Sequence, residues 1–195
     1  MIQRDDVQAF FDRCAPTWDA ELVRSEEIID IILTGAGVCA GSRVLDVACG
    51  TGVLIGDYLA RGAASVTAID LSPEMARRAA AKFPQPSVRV FCGDVEELDV
   101  GHDFDVVMVY NAFPHFPQPA RLITRLSSLL APGGTLTVAH GMSRAVIDRH
   151  HLGPARKVSM GLMEAEQLAE LFAPYLQVEL TISDDRMYQV TGRKL

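Results

Sequence analysis

The sequence predicts an α/β fold: a seven-stranded, mainly parallel sheet with its last strand antiparallel and helices on both faces. Three observations carry this. From Ser42 onward, short apolar β-forming runs alternate with helical stretches of roughly 10–15 residues, the pattern of parallel β–α–β units. Asp46, Asp70 and Asp94 recur at equal intervals of 24 residues, each at the end of one apolar run. The last two runs are separated only by Ser183-Asp184-Asp185-Arg186, a hairpin spacing that demands antiparallel pairing.

The elements follow in order. Residues 2–14 and 18–34 read as two helices parted at Pro16-Thr17. Ile28, Ile29, Ile31, Ile32 and Leu33 give the second an apolar face, and Gly35 and Gly37 end it. Residues 43–47 form the first strand, followed by a glycine turn and a helix from about 53 that stops at Gly62. The second strand is 65–69. Ser72-Pro73-Glu74 then opens a helix with a Ser cap and Pro at the first helical position. Strands 88–92 and 104–109 come next. The latter is apolar almost throughout, as a parallel strand covered on both faces requires. A helix over 119–130, a Pro132-Gly133-Gly134 turn and a strand over 135–139 complete the parallel part. Residues 139–151 (AHGMSRAVIDRHH) read as a helix returning over the rim of the sheet, and 176–182 with 187–191 form the hairpin. The whole of 1–195 is expected to be one domain, divided into a helical segment at 1–38, a core at 40–140 and a C-terminal part at 141–195.

Composition narrows the partners. Eighteen Lys and Arg against 25 Asp and Glu give a net charge of −7, and no basic cluster interrupts the acidic balance. Such a surface repels phosphate backbones and anionic membranes, so neither nucleic acid nor membrane is expected as a partner. The four cysteines include no C-x-x-C pair, which excludes the common zinc-knuckle and redox motifs. The opening residues MIQRDDVQAFF lack the pattern of a secretion signal, and no apolar run reaches the ~18 residues of a membrane span. The expected location is cytoplasmic.

In open α/β sheets, ligands bind beyond the carboxyl ends of the strands. There the sequence places Asp46, Asp70, Asp94, Asn111 and His140. The turn after the first strand, DVACGTG at 46–52, combines glycines with the amide groups of a helix start. A dinucleotide fingerprint needs a third glycine, but Ile55 holds that position and Gly56 comes one residue late. Asp46, an anion just before the turn, gains nothing from a pyrophosphate but favours an ammonium or sulfonium. The turn therefore suits a ligand with a carboxylate, a cation and a ribose.

These blocks resemble the class I S-adenosylmethionine-dependent methyltransferases. VLDVACGTG (44–52) is similar to their first motif, VTAIDLSPEM (66–75) to the second-strand signature and CGDVEEL (92–98) to the third. FDVVMVYNAF (104–113) and LLAPGGTLTV (129–138) are similar to the later blocks. The resemblance implies a Rossmann-like sheet, S-adenosylmethionine as methyl donor and roles residue by residue. Cys49, Gly50 and Gly52 would border the methionine moiety, with Asp46 near its amino group. Asp70 would accept both ribose hydroxyls. Leu71 and Met75 would sandwich the adenine or serve as plain core. Asp94 would accept from the adenine amino group, and the Val95 N–H would donate to the ring. Asn111 and the Tyr110 backbone would border the sulfonium and acceptor. FFDRCAPTWD (10–19) resembles the N-terminal lid of menaquinone-biosynthesis and related small-molecule methyltransferases, which implies that Phe11, Thr17 and Trp18 touch the donor or acceptor; the alternative is that Phe11 and Trp18 simply bury the first helix.

For the acceptor, Tyr110-Asn111-Ala112-Phe113-Pro114-His115 lacks the double proline of the enzymes that methylate adenine or glutamine amino groups. A small-molecule acceptor is expected. His115, His140, His150 and His151 are the acceptor-side candidates, and three readings stay open for them: a general base, a divalent-metal site, or solvated and capping residues. Cys49 and Cys92 read as core or as contacts for a soft acceptor. Two rival functions share the sheet logic: an NAD(P)-dependent oxidoreductase, which Ile55 disfavours, and a non-catalytic S-adenosylmethionine-binding partner subunit.

Overall fold

The computed structural model describes residues 2–151 and 153–195, with the side chains of His150, His151 and Pro154 outside the description. Its strands are β1 (Arg43–Val47), β2 (Ser65–Asp70), β3 (Val88–Cys92), β4 (Phe104–Tyr110), β5 (Leu130–His140), β6 (Gln177–Ser183) and β7 (Tyr188–Arg193). They form one seven-stranded sheet in the order β3-β2-β1-β4-β5-β7-β6. The first five strands run parallel, and β7 is antiparallel to both β5 and β6. β1 lies between β2 and β4, where the strand order reverses and a crevice opens. Among the described residues, no helix is long and apolar enough to cross a membrane.

Helices cover both faces because β1 and β4 are buried on both. On one face, Leu45, Val47, Val107, Val109, Leu136 and Val138 meet α6 (Pro119–Leu129) and α8 (Ala165–Phe172) through Leu122, Leu126, Leu168 and Phe172. On the other, Val44, Val66 and Met108 meet α3 (Glu26–Gly35) and α4 (Ile55–Ala60). Ser72 caps α5 (Pro73–Lys82), its hydroxyl accepting from the Met75 N–H at 3.1 Å as the sequence implies.

Several boundaries differ from expectation. The helix read over 139–151 begins only at Arg144, because Ala139 and His140 still pair within the sheet. The helix expected over 18–34 is two, α2 (Trp18–Glu21) and α3. Leu22 is extended, and the Ser25 hydroxyl caps α3 by accepting from the Ile28 N–H at 3.4 Å. Arg24 then ties the break to the α4 side by donating to the Val53 carbonyl and Asp57, both at 2.8 Å. Local capping thus overrides a continuous apolar stripe. Likewise Pro132-Gly133-Gly134 is no separate turn but an irregularity inside β5, where the register with β4 shifts between Phe104 and Val106. The Gly133 N–H reaches the Lys194 carbonyl at 2.8 Å, and a Cβ on Gly134 would come within 2.7 Å of the Phe104 carbonyl oxygen.

Candidate active site

A cavity of about 750 Å³ lies over the carboxyl ends of β1, β2 and β4. Its floor is built by the turn after β1. Gly50 sits at φ +57°, and its N–H donates to Asp70 Oδ2 at 2.8 Å. The Ser72 N–H donates to the other carboxylate oxygen, also at 2.8 Å. A Cβ on Gly50 would make only ordinary contacts, the nearest 3.7 Å from the Trp18 indole nitrogen, so its left-handed backbone is what favours glycine. Gly52 differs. It does not line the cavity, and a Cβ there would lie 2.9 Å from the Phe83 ring, so it seats the turn against the end of α5. Burial pushes the Asp70 carboxyl up to about 6, against the two backbone N–H bonds that hold it down, with Asp12 raising it further.

Asp46 is 2% exposed and lines the same cavity, and its Oδ2 has no hydrogen-bond partner among the described residues. Burial pushes its carboxyl up to about 7. The nearby Tyr58 hydroxyl works against this, although no hydrogen bond of normal geometry closes on Oδ2, and Asp70 adds repulsion. Cys49 is buried beside the turn, and burial raises its thiol well above the ordinary range, which disfavours a reactive thiolate. Cys92 is exposed at the end of β3 and does not line this cavity.

Leu71, Met75, Asp94 and Val95 line the cavity's other end. Met75 is 1% exposed and so is both wall and core. Asp94 Oδ1 accepts from the Glu96 N–H at 2.9 Å, while Oδ2 faces Arg4 at 3.4 Å.

The roof is α1 (Arg4–Cys14) and α2. Each is latched to a loop of the floor. Arg4 pairs with Glu97 at 2.7 Å, Asp12 accepts from the Ser72 hydroxyl and the Glu74 N–H, and Asp19 accepts from the Thr51 hydroxyl and from Lys82 at 3.0 Å. The Trp18 indole nitrogen is buried without a hydrogen-bond partner among the described residues. Phe11 stands edge-on to both Trp18 and His115, at centroid distances of 5.8 and 4.9 Å. Thr17 caps the start of α2 and does not line the cavity.

On the remaining side, Asn111 takes φ +53°, donates its N–H to the Ala139 carbonyl at 2.9 Å and accepts from the Gly141 N–H at 3.0 Å. This ties the end of β4 to the end of β5 and leaves Tyr110 and Asn111 on the cavity wall. His115 closes a 3-10 turn (Phe113–His115), and its Nδ1 lies 2.8 Å from the Val158 carbonyl. A carbonyl only accepts, so Nδ1 carries the proton and Nε2 the lone pair of the neutral ring.

His140 sits elsewhere. It is 2% exposed, edge-on to Tyr188 at 5.9 Å, and does not line the cavity. The alternation of β5 sends Leu136, Val138 and His140 to one face, and Leu136 and Val138 mark it as the face packed by α6 and α8. His150 and His151 end α7 (Arg144–His151), and their side chains lie outside the described residues. Among the described residues, no group of three His, Cys, Asp or Glu side chains is arranged to hold a metal ion. The sequence reading missed Phe10, Phe116, Met142 and Val146 as cavity walls. Their apolar character alone does not separate a wall from the core.

The cavity thus gathers an acidic side chain from the end of each of the first three strands around a glycine turn, at the reversal of strand order where open α/β sheets bind their ligands. Residues 44–134 match the family model described as a methyltransferase domain. The ubiquinone biosynthesis O-methyltransferase of Xanthomonas campestris pv. campestris (strain B100) is 43% identical over 100 residues, 49% of this chain and 41% of that protein. The match thus spans about two-fifths of the relative's length. The putative methyltransferase solved with the Haloferax volcanii Trm112 methyltransferase activator superimposes at a TM-score of 0.79 with 20% identity, covering 98% of this chain and 96% of that one. The N-methyltransferase NodS from Bradyrhizobium japonicum WM9, solved with S-adenosyl-L-homocysteine, gives 0.65 at 17% identity over 86% and 84% of the chains. These structural likenesses establish the fold.

Proposed function

We propose that the chain is an S-adenosylmethionine-dependent methyltransferase acting on a hydroxyl of an apolar small molecule. The observation that carries the donor is Asp70, whose two oxygens are preset by the Gly50 and Ser72 N–H groups at the cavity floor. Each oxygen keeps acceptor capacity for a ribose hydroxyl. Two further groups fit the donor's amino-acid end: the unpartnered Asp46 oxygen suits an ammonium, and the unpartnered Trp18 N–H suits a carboxylate. Asp94 and Val95 are placed for adenine, with Leu71 and Met75 against its faces. An orphan carboxylate beside the turn disfavours a pyrophosphate, and with it a nicotinamide cofactor.

Bound there, the donor supplies an electrophilic methyl group on a sulfonium. The chain's task is then alignment and exclusion of water. Asn111 and Tyr110 border the reacting centre, and the latched roof covers it. His115 takes the acceptor's hydroxyl proton at Nε2 as the carbon–oxygen bond forms and the carbon–sulfur bond breaks. Phe10, Phe11, Phe116, Met142 and Val146 make the acceptor side apolar, which suits a hydrophobic, uncharged molecule. The O-methyltransferase relative supports oxygen as the accepting atom.

Two measurements test this. Trp18 is the sole tryptophan, so its fluorescence should respond saturably to S-adenosylhomocysteine. Methyl-labelled donor, incubated with a small-molecule extract and read by mass spectrometry, should yield an O-methylated apolar product. No binding by fluorescence or calorimetry would sink the donor reading. Binding with label only on nitrogen or sulfur would sink the acceptor reading.

Asp46 adds a pH dependence. Its folded pKa is raised, so between the unfolded value of about 3.9 and the folded value near 7 the native state holds the extra proton. Raising pH through that window therefore costs stability in the ligand-free protein, and a cationic ligand favours the ionised form. Affinity for S-adenosylhomocysteine should rise several-fold from pH ~6 to ~7.5, below the α-amino range of about 7.7–8.0. Asp46→Asn should bind more weakly and lose this slope. A wild-type affinity that stays flat across the range refutes it.

A further inference from the structure

The loop after β3 has no helix of its own to seat it. β1 and β2 lead into α4 and α5, and β4 leads through a short turn into α6, whereas the chain runs from β3 to β4 through residues 93–103 without a helix. Yet Asp94, Val95 and Glu96 of this loop form one end of the cavity. Val95 and Val100 bury in the core and the Gly93 N–H donates to the Asp70 carbonyl at 2.9 Å, and α6 adds side-chain bonds to the loop's own carbonyls. Arg125 donates Nε to the Val95 carbonyl at 3.1 Å and Nη2 to the Leu98 carbonyl at 3.0 Å. Its helix is anchored by Leu122, Ile123, Leu126 and Leu129, all in the core. Arg4 and Arg121 touch only carboxylates of the loop, at Asp94, Glu97 and Glu96.

One peptide group is held at both ends. Between Val95 and Glu96, the carbonyl accepts from Arg125 and the N–H donates to Asp94 Oδ1 at 2.9 Å. Arg125 therefore sets the plane of the peptide that in turn sets the Asp94 carboxylate. A planar guanidinium fork suits two carbonyls at fixed separation, and a lysine ammonium reaches them less well. We propose that Arg125 is a positioning residue for base recognition, holding Asp94 and Val95 in register with the adenine of the donor. The proposal rests on the reading of Asp94 and Val95 as the adenine site.

The test compares two ligands that differ along one edge of the base: S-adenosylhomocysteine and S-inosylhomocysteine, in which a carbonyl replaces the exocyclic amine Asp94 would meet and the adjacent ring nitrogen carries a proton, so that it no longer accepts from an N–H such as that of Val95. Calorimetry on the wild type should show a preference for the adenine form. Arg125→Met should weaken S-adenosylhomocysteine about tenfold and change the inosine analogue by less than about twofold, so the preference collapses. Arg125→Lys should recover part of it. Circular dichroism melts establish that each variant folds, and the Lys variant alone decides the matter where the Met variant does not. Equal losses for both ligands, or none for either, overturn the positioning role. A wild type that binds both ligands equally overturns the adenine reading beneath it.

Discussion

Asp70→Ala should raise the dissociation constant for S-adenosylhomocysteine by about 100-fold or more, the largest loss expected from any single donor-side change. The side chain does two things at once. It would accept from both ribose hydroxyls, and it already accepts from the Gly50 and Ser72 N–H groups, joining the glycine turn after β1 to the cap of α5. Removing it leaves both amides without their charged acceptor, each costing about 1–3 kcal/mol if buried and unsatisfied. The turn that carries Gly50 at φ +57° then loses the bond that holds it open to the ligand. Asparagine should rescue little, because its amide NH2 would point a donor at one of the two N–H groups. Calorimetry checks this, with a thermal melt to separate lost binding from lost fold. A folded alanine variant that binds within about threefold of wild type removes Asp70 from the donor site.

The acidic rim of the cavity was legible because the β–α unit repeats. Asp46, Asp70 and Asp94 fall at one period, and the end of a parallel strand is where this architecture puts its ligand. His140 carried the same positional signal and lies in the core instead. A rim position names the end of a strand but not the face; Thr135 and Thr137 alternate with Leu136 and Val138, which puts His140 on the apolar side, but β5 is buried on both faces, so alternation alone does not say which face meets the cavity. Gly52 shows the converse. Its glycine was visible, but the Phe83 ring behind it comes from residues far along the chain. Asp12, Asp19 and Arg125 were illegible for a related reason. Each is a polar residue on or beside a short helix, where solvent exposure is the ordinary reading, and each acts on a backbone or hydroxyl group brought near only by the tertiary fold. The break between α2 and α3 was in principle readable from Ser25, a residue type that caps helices, but the apolar run of Ile28 to Leu33 outweighed it.

His115→Ala should lower kcat by about 10²–10⁴-fold while leaving donor affinity unchanged. The separation follows from position. His115 lines the cavity from the short turn after β4, not from the glycine turn after β1, and contacts the roof through Phe11, and its Nδ1 bond to the Val158 carbonyl leaves the lone pair on Nε2. A base matters only while the acceptor is protonated. The alanine variant's defect therefore belongs to protonated acceptors. The defect should also shrink for more acidic phenols, since these present an oxyanion without help. A series of phenols of graded acidity, assayed with both enzymes at one pH, reads this directly. If the two rates fall in constant ratio across the series, His115 positions the acceptor without moving its proton. If the ratio closes towards one as the phenol becomes more acidic, the proton goes to His115.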